Sequence, residues 1–318
     1  MTTEQWQVGD ISITKIEELQ GWTPVDFLLE VFPAATRAEI ARIDWLRPTY
    51  FDGDRMNGMV HSLLVQTPTH KIVVDTGIGN GKQRIAPAFD DLDTDFLARF
   101  ERVWPREEVD GVLTTHLHID HVGWNTIREN DDWQPTFPNA RYFFVRTEYE
   151  HWAAFAQDPH AHAAYSEFGH SMVDGAAVFA DSLAPIADAG LITWVEPGQT
   201  VVPGISLLST AGHTPGHVSV LIEDGGESAV ITGDLMHCQF QVARPDWSVE
   251  MDTDSTAAAD SRRNFLERFA DSPTLVLGTH FGTPTGGHLV RDGDTYRLIP
   301  VHGREFQPDK LSHEGSHP

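Results

Sequence analysis

Four side chains of the types that bind metals in proteins lie within six residues of the segment VLTTHLHIDHVGW, at 112–124. They are His116, His118, Asp120 and His121. Residues two apart on an extended segment point to the same side, so His116 and His118 can share one cation. Asp120 and His121 follow a bend and can face a neighbouring position. We expect Gly123 to let the chain turn sharply there.

Three more candidates lie in loops that follow apolar runs typical of β-strands. They are His213 in STAGHTPGHV, Asp234 in VITGDLMH and His280 in LVLGTHFG. Each is close to a glycine, and loops at strand ends are where a rigid scaffold presents functional groups. The full set is five histidines and two aspartates. A tetrahedral zinc ion with an open position uses only three protein ligands, so the set is large enough for two ions.

The composition leaves this chemistry to histidine and carboxylate. A single cysteine, Cys238, in 318 residues excludes an internal disulfide and a cysteine-built zinc site. Lys+Arg 22 against Asp+Glu 47 gives a formal net charge of -25, which repels nucleic acid and anionic membrane surfaces. The sequence shows no signal peptide and no run near the roughly 18 apolar residues of a membrane span, so we expect a cytoplasmic protein.

The elements that must position these residues are short β-branched runs separated by Gly, Pro, Asn and Asp. The first group of expected strands covers 11–16, 60–66, 71–75, 111–115 and 142–145. The second group covers 191–195, 205–209, 218–223, 229–232, 274–277 and 296–299. Helices are expected at 37–45, 93–103, 147–156, 174–187 and 255–270, the last with Ser255 as its N-cap. Two strand groups with helices predict two sheets packed face to face and covered by helices.

The length suits one large domain, which we expect over 1–303. Within it, 1–55 forms a segment expected to lie over the site, and 304–318 is expected to be a polar tail.

The motifs together resemble those of the metallo-β-lactamase fold superfamily. VVDTG around Asp75 and THLHIDH at 115–121 precede His213, Asp234 and His280 in the family's order. The resemblance implies a four-layer αββα sandwich, an α/β fold of two mixed sheets with the site at one edge between them. It places His116, His118 and His213 on a first metal, and Asp120, His121 and His280 on a second. It also implies that Asp234 bridges both metals and that Asp75 supports the ligand loop.

Two divalent cations in such a site would lower the pKa of a shared water from 15.7 to near 7. The nucleophile would then be hydroxide, and Asp120 or Asp234 could receive a proton. GxSxG is absent from the sequence, and no serine triad or thiol is required. Zinc is the first expectation for both cations, and manganese, iron or cobalt also suit these ligands.

The expected reaction is hydrolysis of a neutral ester or lactone, as in acyl-homoserine lactonases or arylesterases. The lactonases that the chain resembles carry a tyrosine three residues after the bridging aspartate, where this chain has His237. That pattern is closer to parathion-hydrolase-like enzymes, so hydrolysis of organophosphate triesters is an alternative. His237 could donate a hydrogen bond to a developing oxyanion. Further alternatives are β-lactamase-type amide hydrolysis, a mononuclear iron dioxygenase and a metal-binding module without catalysis.

Aromatic residues indicate an apolar pocket and hence a small, neutral, apolar substrate. The N-terminal ones are Trp22, Phe27, Phe32, Trp45 and Phe51, and Trp124 and Phe281 directly follow ligands. Leu28, Leu29, Val31 and Phe32 would equally suit the contact of a homodimer.

Overall fold

The strands of the protein are spread over the whole described chain, and all but the two long ones at 11–24 and 55–66 have seven residues or fewer. The computed structural model describes residues 4–158 and 160–306. In chain order the strands are β1 (Glu4–Val8), β2 (Ile11–Pro24), β3 (Phe51–Asp52), β4 (Arg55–Gln66), β5 (Lys71–Val74), β6 (Gly111–Leu113), β7 (Thr126–Glu129), β8 (Asp132–Pro135), β9 (Arg141–Val145), β10 (Ile192–Val195), β11 (Thr200–Val202), β12 (Ile205–Ser209), β13 (Val218–Asp224), β14 (Glu227–Ile231), β15 (Leu275–Leu277), β16 (Gly286–Asp292), β17 (Thr295–Val301) and β18 (Arg304–Glu305).

The helices are α1 (Val25–Val31), α2 (Arg37–Arg42), α3 (Phe96–Phe100), α4 (Arg146–Gln157), α5 (Glu167–Val173), α6 (Gly175–Val178), α7 (Ala184–Asp188), α8 (Phe240–Ala243) and α9 (Ser255–Phe269). The helix expected over 174–187 is interrupted, because a π-helical segment at Phe179–Leu183 separates α6 from α7. The N-cap of α9 is Asp254 rather than the expected Ser255. Asp254 has extended backbone angles, and its side chain accepts a hydrogen bond from Ala257 N.

Two sheets form the middle of the molecule. The first has the order β10-β9-β6-β5-β4-β2-β1-β18, with β3 paired to β4. The second has the order β11-β12-β13-β14-β15-β16-β17. Buried apolar side chains from both sheets form one cluster, which includes Ile13, Val65, Val220 and Ile231. A second cluster joins the outer sheet faces to the helices, so the expected αββα sandwich is confirmed.

The strands are apolar on both faces because each sheet lies between another sheet and helices. In β4, Leu63 and Val65 belong to the cluster between the sheets, and Leu64 belongs to the cluster under the helices. The same alternation occurs in β13, where Val220 faces inward and Leu221 outward. Burial on both faces explains why these strands read as continuous apolar runs.

The placement of 191–195 in the second strand group is wrong. β10 pairs in parallel with β9 and is an outer strand of the first sheet. A short apolar run is compatible with either sheet, and its partner depends on α4 to α7, which return the chain to β9. Trp194 in β10 is 36% exposed and lies under the Arg146 guanidinium, as suits an outer strand.

The predicted tail begins with residues that belong to the first sheet. Glu305 and Arg304 of β18 pair antiparallel with Glu4 and Gln5 of β1. The remainder of the predicted tail, 307–318, lies outside the described residues. Within the described ranges, no helix has the length and hydropathy needed to cross a bilayer.

Candidate metal centre

The candidate ligands lie in loops that follow four strands at one edge of the sandwich, namely β6, β12, β14 and β15. The loop 116–121 follows β6, and Asp75 follows the neighbouring parallel strand β5. In the second sheet, Asp234 follows β14 and His280 follows the adjacent parallel strand β15. Because the carboxyl ends of parallel strands meet at the same sheet edge, these distant parts of the chain converge.

The structure brings all seven predicted metal ligands together in two adjoining groups. The first group contains His116, His118, His213 and Asp234, and the second contains Asp120, His121 and His280. Within each group, one potential ligand atom per residue lies within 4.8 Å of the others. The division between the groups matches the one that the family resemblance implies.

Asp234 faces both groups with different oxygens. Its Oδ1 lies 3.2 Å from His121 Nε2 and 3.0 Å from His280 Nε2. Its Oδ2 lies 3.6 Å from His116 Nε2 and 3.5 Å from His213 Nε2. A carboxylate with one oxygen toward each group has the orientation required of a bridging ligand.

The imidazoles are oriented by acceptors on their outer nitrogens. His121 Nδ1 donates to Asp75 Oδ2 at 2.9 Å, and His280 Nδ1 donates to Met59 O at 3.0 Å. Asp75 also accepts from Thr115 N at 2.7 Å, so it fixes the start of the ligand loop. Such contacts set the tautomer that directs the other ring nitrogen toward a metal.

The inner atoms of the site fit divalent cations. Among the described residues, His116 Nε2, His121 Nε2 and Asp234 Oδ1 are buried and have no hydrogen-bond partner. Buried polar atoms are nearly always paired, and imidazole nitrogen with carboxylate oxygen is a donor set for transition metals.

The charge distribution of the site also favours a cation. Burial and neighbouring imidazoles hold the pKa of His116 and of His118 well below the usual value, so both rings are neutral, the form that binds metals. Burial opposes charge on His121, but the carboxylates of Asp234 and Asp75 raise its pKa well above the usual value. The carboxylates therefore recruit positive charge into the second group.

Asp252 and His217 support the site, and neither was predicted from the sequence. Asp252 accepts from His213 Nδ1 at 2.8 Å, although it lies 39 residues further along the chain. His217 Nε2 accepts from Asp234 N at 2.9 Å, and His217 Nδ1 lies 2.8 Å from Thr210 Oγ1. Burial lowers the pKa of His217 to about 3, which keeps its accepting nitrogen free of a proton. The second histidine of HTPGH was the available signal for His217, whereas no local pattern marks Asp252.

His237 lies beside the centre rather than within either ligand group. Its Nε2 is 3.1 Å from Asp234 Oδ2, and its ring stacks on His280 at 5.6 Å between ring centroids. Burial lowers the pKa of His237, so the ring is neutral and carries one N–H. It lines the cavity described next, together with Asp120.

A cavity of about 420 Å³ opens over the two groups. In the described ranges, its lining includes no lysine, arginine or glutamate, and its ionisable side chains besides the ligands are His237 and Cys238. Its larger apolar side chains are Leu19, Phe27, Leu28, Val31, Phe32, Met59, Val60, Phe89, Met172 and Met251. Such a wall accommodates a small apolar molecule without net charge.

The N-terminal part of the chain supplies one wall of this cavity, including α1. Leu28, Val31 and Phe32 are 5%, 7% and 1% exposed, so they are buried within the chain and are not available to a second copy. A homodimer stays a prediction, but these three side chains would not form its contact.

Trp124 and Phe281 do not form the expected wall near the ligands. Both are buried and belong to the cluster under the helices. Trp124 stacks on Phe96 at 5.5 Å.

The chain turns at Gly123, where a 3-10 turn covers Gly123–Asn125, but the reason for a glycine there is close packing. A Cβ added to Gly123 would lie 1.8 Å from Ile78 O. Gly123 N donates to Gly77 O, and Trp124 N donates to Thr76 O. Only glycine lets the ligand loop approach the segment after Asp75 this closely.

Glu18 of β2 connects the segment after Asp75 to Trp124 through hydrogen bonds. Its carboxylate accepts from Ile78 N at 2.6 Å, Gly79 N at 3.0 Å and Trp124 Nε1 at 2.7 Å. Glu18 is 4% exposed, and burial raises its pKa from 4.5 to about 7 despite these donors.

This pKa predicts a dependence of stability on pH. The folded state binds the Glu18 proton more tightly than the unfolded chain, so its contribution is present below pH 4.5 and is lost as pH rises to about 7. In metal-free protein, the free energy of unfolding of wild type minus that of Glu18→Gln should fall by about 3 kcal/mol over this window. Urea unfolding at several pH values measures it. Glu30→Gln, at an exposed position, is the matched control. If the difference in unfolding free energy from wild type were as independent of pH for Glu18→Gln as for Glu30→Gln, the prediction would be wrong.

The αββα sandwich with a histidine and aspartate centre at the edge between its sheets defines a metallo-β-lactamase fold. The sequence profile of the "Metallo-beta-lactamase superfamily" matches residues 55–280, and the chain belongs to this superfamily.

Among curated proteins, the chain is similar to N-acyl homoserine lactonases. One from Bacillus cereus is 25% identical over 189 residues, which are 55% of this chain and 62% of the relative. AiiA from Bacillus thuringiensis subsp. kurstaki is 27% identical over 193 residues, which are 56% of this chain and 64% of the relative. The matches therefore span slightly less than two thirds of these relatives.

Solved structures match nearly the whole chain. The hydrolase AbOPH of the β-lactamase superfamily has a TM-score of 0.77 and 25% identity, covering 95% of this chain and 98% of its own. The dizinc quorum-quenching lactonase AidC has a TM-score of 0.76 and 20% identity, covering 94% of this chain and 97% of its own. The likeness to AidC concerns the fold.

Proposed function

We propose that this protein is a binuclear metal-dependent hydrolase that cleaves neutral carboxylic esters, with lactones as the preferred class. The observation that carries the proposal is the pair of ligand groups at the floor of an apolar cavity without lysine or arginine in its described lining. The curated relatives named N-acyl homoserine lactonases support the choice of lactones.

His116, His118 and His213 would hold one divalent cation, Asp120, His121 and His280 the other, and Asp234 both. The cations supply Lewis acidity and lower the pKa of coordinated water. We propose zinc first, because it accepts imidazole and carboxylate ligands in tetrahedral and five-coordinate sites.

The residues of the chain would orient the substrate and move protons. The apolar wall holds the organic part of the ester, which directs its carbonyl toward the cavity floor. The oxygen of a water bonds to the acyl carbon, and the ester C–O bond breaks. Asp120, whose carboxylate lines the cavity, can take the proton from the water and return it to the leaving oxygen.

His237 is suited to stabilise charge on the substrate. As a neutral ring in the cavity wall, it can direct an N–H toward the oxygen that becomes negative when the carbonyl is attacked. Its present contact with Asp234 Oδ2 would be exchanged for that oxygen.

We expect His237→Phe to lower kcat by about 10²-fold to 10³-fold, the usual cost of removing one oxyanion donor. His237→Gln keeps an N–H and should retain most of the rate. Steady-state kinetics together with metal analysis measures both effects, and the exposed His302→Phe serves as control. If His237→Phe binds less metal but keeps the wild-type rate per bound metal, His237 affects metal binding, and its proposed role as a hydrogen-bond donor is wrong.

The test of the proposed function is a panel of four substrate classes assayed with metal-reconstituted protein. The classes are acyl-homoserine lactones, aryl esters, phosphotriesters and β-lactams. We expect lactones and aryl esters to be cleaved with the highest kcat/KM, and His116→Ala to remove the activity. Turnover of none of the four classes by metal-loaded protein would refute the proposal.

The second candidate is hydrolysis of organophosphate triesters, favoured by His237 at the third position after Asp234. A neutral phosphotriester also suits an uncharged apolar cavity. Phosphotriester turnover above that of every lactone in the panel would select this candidate.

A further inference from the structure

Glu148 is a buried carboxylate outside both ligand groups, and the proposed hydrolysis does not use it. It lies in the first turns of α4 and is 1% exposed. In the described ranges, no lysine or arginine forms an ion pair with it. Its oxygens accept instead from three neutral N–H groups: Oε1 from Leu117 N at 3.2 Å and Trp152 Nε1 at 2.7 Å, and Oε2 from Gly216 N at 2.8 Å.

Two of these donors belong to the loops that carry the first ligand group. Leu117 lies between His116 and His118, and Gly216 lies three residues after His213. One carboxylate therefore connects the two loops that supply all three imidazoles of that group. The connection is tight, because a Cβ added to Gly216 would lie 2.6 Å from Glu148 Cβ.

The third donor ties the same carboxylate to a ligand ring. Trp152 packs edge-on against His118 with the ring centroids 5.0 Å apart. On the inner side of the group, His118 Nδ1 and His213 Nε2 are 3.0 Å apart, so the two loops already hold their ligand atoms close together.

We propose that Glu148 is a positioning residue for the first metal. It sets the separation of the 116–118 and 213–216 loops through their backbones, with no hydrogen bond to a ligand side chain. This inference rests on the proposed metal centre. A carboxylate suits the role because both oxygens accept hydrogen bonds, and all three partners are donors.

Glutamine has nearly the same shape but cannot satisfy these donors. Its amide offers one oxygen and one NH₂ group, so either orientation turns a donor toward Leu117 N and Trp152 Nε1 or toward Gly216 N. One loop is then released from α4. Contacts of this kind around metal ligands commonly contribute 10-fold to 100-fold in metal affinity.

The test compares Glu148→Gln with Glu150→Gln, the same chemical change at an exposed position of α4. Zinc binding is titrated in competition with a chromogenic chelator, and His116→Ala identifies the step that belongs to the first group. We expect Glu148→Gln to weaken that step by about 10-fold to 100-fold. The other step, and both steps in Glu150→Gln, should match wild type.

Two results would overturn the inference. One is a Glu148→Gln titration that matches Glu150→Gln. The other is equal weakening of both steps together with a lower thermal midpoint of the metal-free protein, because that pattern indicates a general structural role. If wild type itself binds no stoichiometric zinc, the proposed function fails, and this inference fails with it.

A measurement on wild type covers the case in which Glu148→Gln does not fold. In the metal-free protein, we expect the amides of Leu117 and Gly216 to exchange hydrogen slowly, because both are already bound to Glu148 before any metal enters. Exchange as fast as that of exposed loop amides would refute the inference.

Discussion

Asp234→Asn is expected to lower kcat/KM by at least about 10³-fold, because the proposed metal pair would supply several kcal/mol of transition-state stabilisation. The asparagine side chain is nearly isosteric with the carboxylate, but it has only one oxygen. It therefore cannot place an oxygen toward both ligand groups, as Oδ1 and Oδ2 of Asp234 do. The substitution also removes the negative charge around which five imidazoles are arranged.

The same substitution should lower the metal content below that of wild type, measured by mass spectrometry of the purified protein. Asp93→Asn changes the charge equally at an exposed position and is the matched control. Full metal content with an undiminished rate in Asp234→Asn would contradict the bridging role.

Chelation is expected to remove hydrolysis entirely and to lower the thermal midpoint of the protein. Each ion bound at about 100 times its Kd stabilises the folded state by roughly 2.7 kcal/mol, so two ions correspond to a shift on the order of 10 °C. Without them, the buried imidazoles and Asp234 lose their common partner. Calorimetry and activity assays before and after dialysis against chelator measure both effects.

Addition of zinc, manganese or cobalt should restore the rate and the midpoint together. In Asp234→Asn, chelator should shift the midpoint much less, because fewer ions are bound. Hydrolysis at the original rate in protein freed of metal would exclude a metal-dependent mechanism.

The sequence predicted the candidate site better than its surroundings. Each of the seven ligands follows an apolar strand closely, and such residues converge whenever their strands are neighbours at one sheet edge. For 116–121 the signal is a local sequence motif. For His213, Asp234 and His280 it depends on their order along the chain and on the glycines beside them. The supporting role of Asp75 could also be predicted from the sequence, because VVDTG places it directly after β5.

The residues that hold the ligands in place could not be found in the same way. Asp252 and Glu148 reach the site from irregular or helical segments whose approach is set by tertiary packing. Nothing in the sequence around either one distinguishes a buried acceptor from an exposed carboxylate.

The assignments that failed share a physical cause. An apolar residue next to a ligand can face the cavity or the core, and Trp124 and Phe281 face the core. The run at 191–195 fits either sheet, and its partner is decided by the helices that precede it.

The most direct measurement is anomalous diffraction from crystals of the metal-loaded protein. It should show two cations roughly 3.5 to 4 Å apart. One would lie among His116, His118 and His213, the other among Asp120, His121 and His280, with Asp234 between them. Crystals of active protein in which neither group holds a cation, or in which the only metal lies elsewhere, would contradict the proposed centre.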